Sequence, residues 1–180
     1  PEKIKKILYL DSDLLVTENV KQLYDIELNG KPIGMVPDCR YPKGYIPDVF
    51  EPFYYNSGIM LLDLNMWRQE NLPEELDNYW QKNYDLFVET EKGIKQFEYV
   101  DQDLINIVFA GRIKSLPQKW NVFPEAIKDE SFKGIIHYAG IVEPKPWEDD
   151  ADMSLIAIRK YHYYWNHSLL AIFKLKKSHN

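Results

Sequence analysis

Asp11 and Asp13 close the segment "KILYLDSD" (6–13), two carboxylates one residue apart at the end of an apolar run. In extended backbone, residues i and i+2 point to the same side, so the pair could present a double negative charge to one point in space. Like charges that close are costly unless something positive sits between them. A divalent cation is the first candidate, because hard oxygen donors suit Mg²⁺ and Mn²⁺. A helix cap is the structural alternative: "LLVTENVKQLYDIEL" follows with helical spacing in Leu15, Leu23 and Ile26, and an acid or Thr17 could cap it.

Two further groups of polar residues lie beside apolar runs. His137 ends "GIIH" and is followed by Gly140 and Lys145. The imidazole is either a packed core residue or a third ligand for the cation of Asp11 and Asp13. Gly140 would let the backbone approach a phosphate closely, and Lys145 would add positive charge there. The alternative for "EPKPW" is a proline-stiffened surface loop with a solvated lysine. Asn56, Ser57 and Gly58 precede the apolar run "IMLLDL". In open α/β sheets ligands bind outside the carboxyl ends of strands, and these groups are placed with that rule in mind.

The elements that must position these residues follow from hydrophobic pattern. Ile7–Leu10 reads as a strand buried on both faces, since its apolarity is continuous rather than alternating. Ile33–Val36, the run after "YYNSG" and Ile135–Tyr138 read as further buried strands. Leu72, Leu76, Tyr79 and Trp80 make a helical stripe interrupted near Pro73, and Leu104, Ile105, Val108 and Phe109 make a short helix after Asp101–Asp103. Alternating strands and helices predict an α/β class with a mainly parallel sheet. Pro37, Pro42, Pro47 and Pro52 punctuate an aromatic stretch from Asp38 to Tyr55, which is therefore an irregular loop. The sequence divides into a main portion, 1–150, and a C-terminal aromatic and basic helical segment, 151–180.

Composition bounds the function. The chain has 180 residues, 45% of them hydrophobic, which suits one globular core, and its net charge of −6 disfavours a nucleic-acid-binding face. A lone cysteine, Cys39, excludes an intramolecular disulfide framework and fits a reducing, cytoplasmic compartment. No apolar stretch approaches the roughly 20 residues that cross a bilayer. The opening "PEKIKKILYLD" lacks an initiator methionine and enters a strand almost at once, so the chain reads as a piece of a longer one.

In this order and at these separations, "KKILYLDSDLLV", "YYNSGIMLLDLNMWR", "YVDQDLIN", "QKWN" and "IIHYAGIVEPKPW" resemble glycosyltransferase family eight. That family includes bacterial lipopolysaccharide galactosyl- and glucosyltransferases and glycogenin. The resemblance implies a GT-A fold, a UDP-hexose donor, Mn²⁺, transfer with retention of anomeric configuration, and a glycan or glycolipid acceptor. It implies that Asp11, Asp13 and His137 hold the metal and that Gly140 and Lys145 contact the diphosphate. The loop between this Gly and Lys is longer than the family's usual one. Asn56, with Ser57 beside it, and Asp101 and Gln102 are implied at the donor sugar, Gln102 on the face opposite the leaving group. The family's polypeptide normally begins upstream with the elements that hold uracil and ribose, so an N-terminal nucleotide-binding part is expected to be missing here.

Several readings stay open on the residues alone. An amide oxygen is a poor nucleophile, so a front-face route is favoured, with Asp101 orienting sugar hydroxyls or else capping the helix at Leu104. Tyr41, Tyr45 and Phe53 either meet the acceptor through their ring faces or cover the sheet. Lys174, Lys176 and Lys177 end a segment that either docks on an anionic membrane or packs as an ordinary terminal helix. Two other functions compete. A haloacid dehalogenase-type phosphatase also places Asp-x-Asp after a buried strand, and a noncatalytic carbohydrate-binding or scaffold domain would use the same polar residues as caps.

Overall fold

The computed structural model describes residues 2–42, 44–46, 52–88, 99–140, 145–152 and 154–178, with side chains through residue 168. The chain forms two compact units. Pro1–Asp11 and Val20–Gln118 make the first, and Ser12–Asn19 and Lys119–Asn180 the second.

The first unit is built on β1 (Lys6–Leu10), β3 (Ile33–Pro37), β4 (Tyr55–Asp63) and β5 (Ile113–Ser115), while β2 (Leu14–Val16) belongs to the second. Its strand order is β1-β4-β3-β5. The β1–β4 and β4–β3 pairs are antiparallel, and β3–β5 is parallel. The sheet is therefore mixed, which corrects the expectation of a mainly parallel one. An unbroken apolar run calls for cover on both faces whichever way its neighbour runs. β4 illustrates this: Tyr55, Ile59, Leu61 and Leu62 are all buried along a strand paired antiparallel on both sides. β1, at the end of the strand order, is only half-buried with Tyr9 45% exposed, which corrects the reading of Ile7–Leu10 as buried on both faces.

The first unit's helices are α1 (Lys21–Tyr24), α2 (Leu64–Gln69), α3 (Leu72–Lys82), α4 (Tyr84–Phe87) and α5 (Val100–Val108), of which α2 and α5 pack on the sheet. Asp63 ends β4 and starts α2, its carboxylate accepting from the backbone N–H of Asn65 at 3.0 Å and Met66 at 3.1 Å. Asn71 in a left-handed conformation and Pro73 in the first turn separate α2 from α3, as the pattern near Pro73 predicts. Leu72, Phe109 and Ile113 join Ile33, Met35 and Leu62 in one buried cluster.

The segment after Asp13 departs from its helical spacing. Leu14–Val16 is a strand, and helix is confined to Lys21–Tyr24. Three ladder positions decide the matter, with Leu15 opposite Ile136 and Val16 opposite Ile135. The acid at 13 thus precedes a strand, not a helix.

In the second unit β2 pairs antiparallel with β6 (Ile135–His137), and Val122 bridges the other side of β6 in parallel. The long helix α6 (Ile156–Ser178) contributes Ala157 and Ile158 to a core with Ile127, Ile136 and Tyr138. Among the described residues no helix is long and apolar enough to cross a membrane.

Candidate functional site

Register within the second unit sets its polar cluster. Leu14 faces His137 across the β2–β6 ladder, and the N–H of Tyr138 donates to the carbonyl of Asp13 at 3.0 Å. Asp13 lies in a bend just before β2, outside the strand's strict alternation, and its side chain turns to His137, Nε2 lying 3.2 Å from Oδ1 of Asp13. His137 is 1% exposed. Its Nδ1 lies 2.9 Å from Oδ1 of Asn121. A neutral ring with its hydrogen on Nδ1, toward that amide oxygen, would turn the lone pair of Nε2 toward a carboxylate. Two acceptors facing each other form a donor set for a hard or borderline cation, so these residues fit a divalent metal.

Lys145 lies in the same cluster. Its ammonium is 3.5 Å from Oδ2 of Asp13 and donates to the carbonyls of Tyr138 and Gly140, the latter at 3.0 Å. Gly140 has φ of +69°, a conformation that favours glycine. The loop residues 141–144, where the chain is longer than the family's usual spacing, lie outside the described residues.

The first unit assembles the other sequence candidates. Asn56 is 4% and Gln102 5% exposed, and the Asn56 amide donates to Oε1 of Gln102 at 3.0 Å and to Oδ2 of Asp38 at 3.1 Å. Oε1 of Gln102 also accepts the N–H of Ser57 at 2.9 Å, while the Ser57 hydroxyl donates to Asp101 at 2.9 Å. A slip in register makes this possible. Met35 faces Met60 but Val36 faces Asn56, so Ser57 to Ile59 bow out of the β3–β4 ladder beside α5. Asn106, one turn after Gln102, accepts the N–H of Tyr55 and donates to its carbonyl, acting on β4 like a strand partner. That pair of bonds fixes α5 against β4 and Gln102 against Asn56. Asp101 lies in the first turn of α5, whose N-cap is Tyr99, so it does not serve as the helix cap. Asp11 directly follows β1, its N–H donating to the carbonyl of Gly58 at 2.9 Å and its carboxylate accepting from the Tyr9 hydroxyl at 2.8 Å.

Residues 2–151 match the family model described as Glycosyl transferase family 8. The chain belongs to this family. It is 28% identical over 170 residues to the lipopolysaccharide 1,2-glucosyltransferase of Escherichia coli, covering 83% of this chain and 47% of that one. It is 30% identical over 182 residues to the probable galacturonosyltransferase 9 of Arabidopsis thaliana, covering 91% of this chain and 30% of the relative. The crystal structure of the galactosyltransferase LgtC in complex with donor and acceptor sugar analogs aligns at a TM-score of 0.64 and 24% identity. That alignment covers 82% of this chain and 56% of LgtC. The fold is thus that of the GT-A glycosyltransferases. The chain spans less than half the length of these two curated relatives.

Two residues of this family 8 chain join the clusters without having been singled out from sequence. Asp38, 2% exposed, takes the Asn56 amide and three bonds from Arg40, the backbone N–H at 3.2 Å, Nε at 3.0 Å and an Nη at 2.8 Å. It directly follows the buried strand β3, although nothing local to it announces its contact with Asn56. Asn121 follows Trp120 in "QKWN", and both are buried.

The aromatic stretch divides. Tyr41 stacks with Tyr45 at 4.5 Å and Tyr54 at 5.0 Å between ring centres, whereas Phe53 is 41% exposed. Tyr41, Phe53 and Tyr54 line a cavity of about 420 Å³ together with Asp38, Cys39 and Leu116. Lys43 and residues 47–51 of this stretch lie outside the described residues, as do the side chains of Lys174, Lys176 and Lys177.

Proposed function

We propose that the protein containing this chain is a Mn²⁺-dependent retaining hexosyltransferase, moving glucose or galactose from a UDP-sugar to a glycan or lipopolysaccharide-type acceptor. The Asp13–His137 juxtaposition at 3.2 Å carries this reading. Asp13 and His137, with Asp11 as the family resemblance implies, would supply two carboxylates and an imidazole to the metal ion. Mn²⁺, or Mg²⁺ in its place, would neutralise charge on a departing diphosphate. Lys145, already beside Asp13, and the left-handed backbone at Gly140 would receive the diphosphate.

Asn56, Ser57, Asp101 and Gln102 would hold the donor sugar. The carbonyl oxygen of Gln102 already accepts from Asn56 and Ser57, which suits it to positioning rather than attack. With that oxygen occupied, the front-face route is favoured, in which the leaving phosphate takes the acceptor's proton and the residues chiefly orient both substrates. The cavity lined by Tyr41, Phe53 and Tyr54 offers ring faces to an acceptor sugar. The basic end of α6 would rest against an anionic membrane surface if the acceptor is lipid-linked.

The test is a donor screen on the full-length protein, with UDP release and the anomeric configuration of the product read by NMR. Mn²⁺-stimulated turnover of one UDP-hexose with retained configuration is expected. Inverted product, or phosphate release without sugar transfer, would overturn the reading.

A further inference from the structure

Three consecutive residues hold His137 from one side. The carbonyl of Val122 accepts its backbone N–H at 2.9 Å, and the ring of Phe123 stacks on the imidazole, centres 6.0 Å apart and planes inclined by 28°. Asn121, 1% exposed, places its amide oxygen 2.9 Å from Nδ1. An amide oxygen only accepts, so the hydrogen between these atoms belongs to Nδ1. That choice has a consequence 3.2 Å away, where Nε2 faces Asp13. A ring protonated at Nε2 would donate there and close the position to a cation, whereas a ring protonated at Nδ1 presents a lone pair.

We propose that Asn121 is a positioning residue that fixes the tautomer and ring angle of His137, so that Nε2 is presented, with Asp13, to a divalent cation. This rests on the metal reading given above. A ligating imidazole whose other nitrogen donates to a fixed oxygen is both oriented and more basic, and loss of such a partner commonly lowers metal affinity about 10–100-fold. The buried amide supplies that oxygen without adding charge. Val122 and Phe123 hold the backbone and the ring face but cannot distinguish the two nitrogens, so tautomer choice falls to Asn121.

The test is Mn²⁺ titration of the full-length protein, free Mn²⁺ being read by electron paramagnetic resonance, so that no turnover is required. Asn121→Leu, of the same branched shape but without an acceptor, is expected to weaken binding by about 10–100-fold. Asn121→Asp, which keeps an acceptor at Nδ1, is expected to bind within a few-fold of wild type. In a His137→Ala background the Leu substitution is expected to cause no further loss. Wild-type affinity in Asn121→Leu, or an equal loss with and without the imidazole, would overturn the proposal while leaving the metal site standing. Wild-type affinity in His137→Ala would instead overturn the metal reading. Should the Leu variant fail to fold, the Asp variant decides: retained affinity supports the proposal, and a tenfold or greater loss overturns it.

Discussion

Nε2 of His137 stands 3.2 Å from Oδ1 of Asp13, and a ladder of only three residue pairs brings them there. Leu14 opposite His137 fixes the longitudinal position, and the Tyr138 N–H bonded to the Asp13 carbonyl extends the ladder by one step. Strand alternation alone would set Asp13 opposite Tyr138 and away from His137, so the contact also needs the bend at Asp13 that precedes β2. The polar cluster is therefore as secure as this short pairing and that bend.

Metal dependence tests the cluster directly. In the full-length protein, chelation should abolish UDP release and added Mn²⁺ should restore it. Asp11→Ala, Asp13→Ala and His137→Ala should each lower kcat/KM on the order of 100-fold or more, with the circular dichroism spectrum unchanged. Wild-type turnover in any of them would remove that residue from the site.

Gly134 guards the ladder's other end. Its carbonyl accepts from the backbone N–H of Thr17 at 2.8 Å and from the Thr17 hydroxyl at 3.1 Å. Its φ is +152°, and a Cβ built there would lie 2.1 Å from the carbonyl oxygen of Lys119. Backbone strain and overlap together predict that Gly134→Ala destabilises by at least about 2 kcal/mol. Thermal melting should then fall by several degrees, and Mn²⁺ affinity should weaken with it. A melting temperature equal to wild type would show that the β2–β6 pairing does not depend on this approach.

Residue types were more legible than partners. Asp11, Asp13 and His137 declare themselves because each polar group interrupts an apolar run, and the strands that end there follow from those runs. Strand direction was not legible, since "GIMLLDL" demands cover on both faces and says nothing about which way its neighbours run. Leu14–Val16 was misread as helix because Leu15, Leu23 and Ile26 also satisfy a helical period, and only pairing with Ile135–His137 decides between the two. Ile113–Ser115 is too short to carry any period. Asp38 and Asn121 act through contacts with Asn56 and His137, remote in sequence, which no local pattern announces.

The first unit's network predicts a contrast between two isosteric changes. Asn56 donates to both Asp38 and Gln102, so Asn56→Asp would set a carboxylate against two acceptors in a buried place. Gln102→Glu retains an acceptor where Asn56 and Ser57 already donate. Urea unfolding should show Asn56→Asp losing more stability than Gln102→Glu, and Asn56→Ala losing about 1–3 kcal/mol. Equal losses in the two acidic variants would contradict the donor assignment at Asn56.

Alkaline pH should loosen the first unit through Tyr54. This ring is 4% exposed, and its hydroxyl donates to Asp103 at 2.7 Å. Burial first, and then the hydrogen bond and negative charge of Asp103, push the phenol well above its ordinary value. The folded state therefore prefers the protonated phenol more strongly than the unfolded chain does. Its contribution is complete below the unfolded value of about 10 and is lost as pH rises above it, because the unfolded chain then releases a proton that the folded one keeps. Tyr138, raised by burial, adds to the same slope in the second unit. Tyr54→Phe should cost about 1–3 kcal/mol at neutral pH by removing a donor from Asp103. It should also flatten the decline in stability between about pH 9 and 11. Denaturant unfolding across that range measures both, and a Phe variant whose stability falls as steeply as wild type would show that Tyr54 is not the group that ionises on opening.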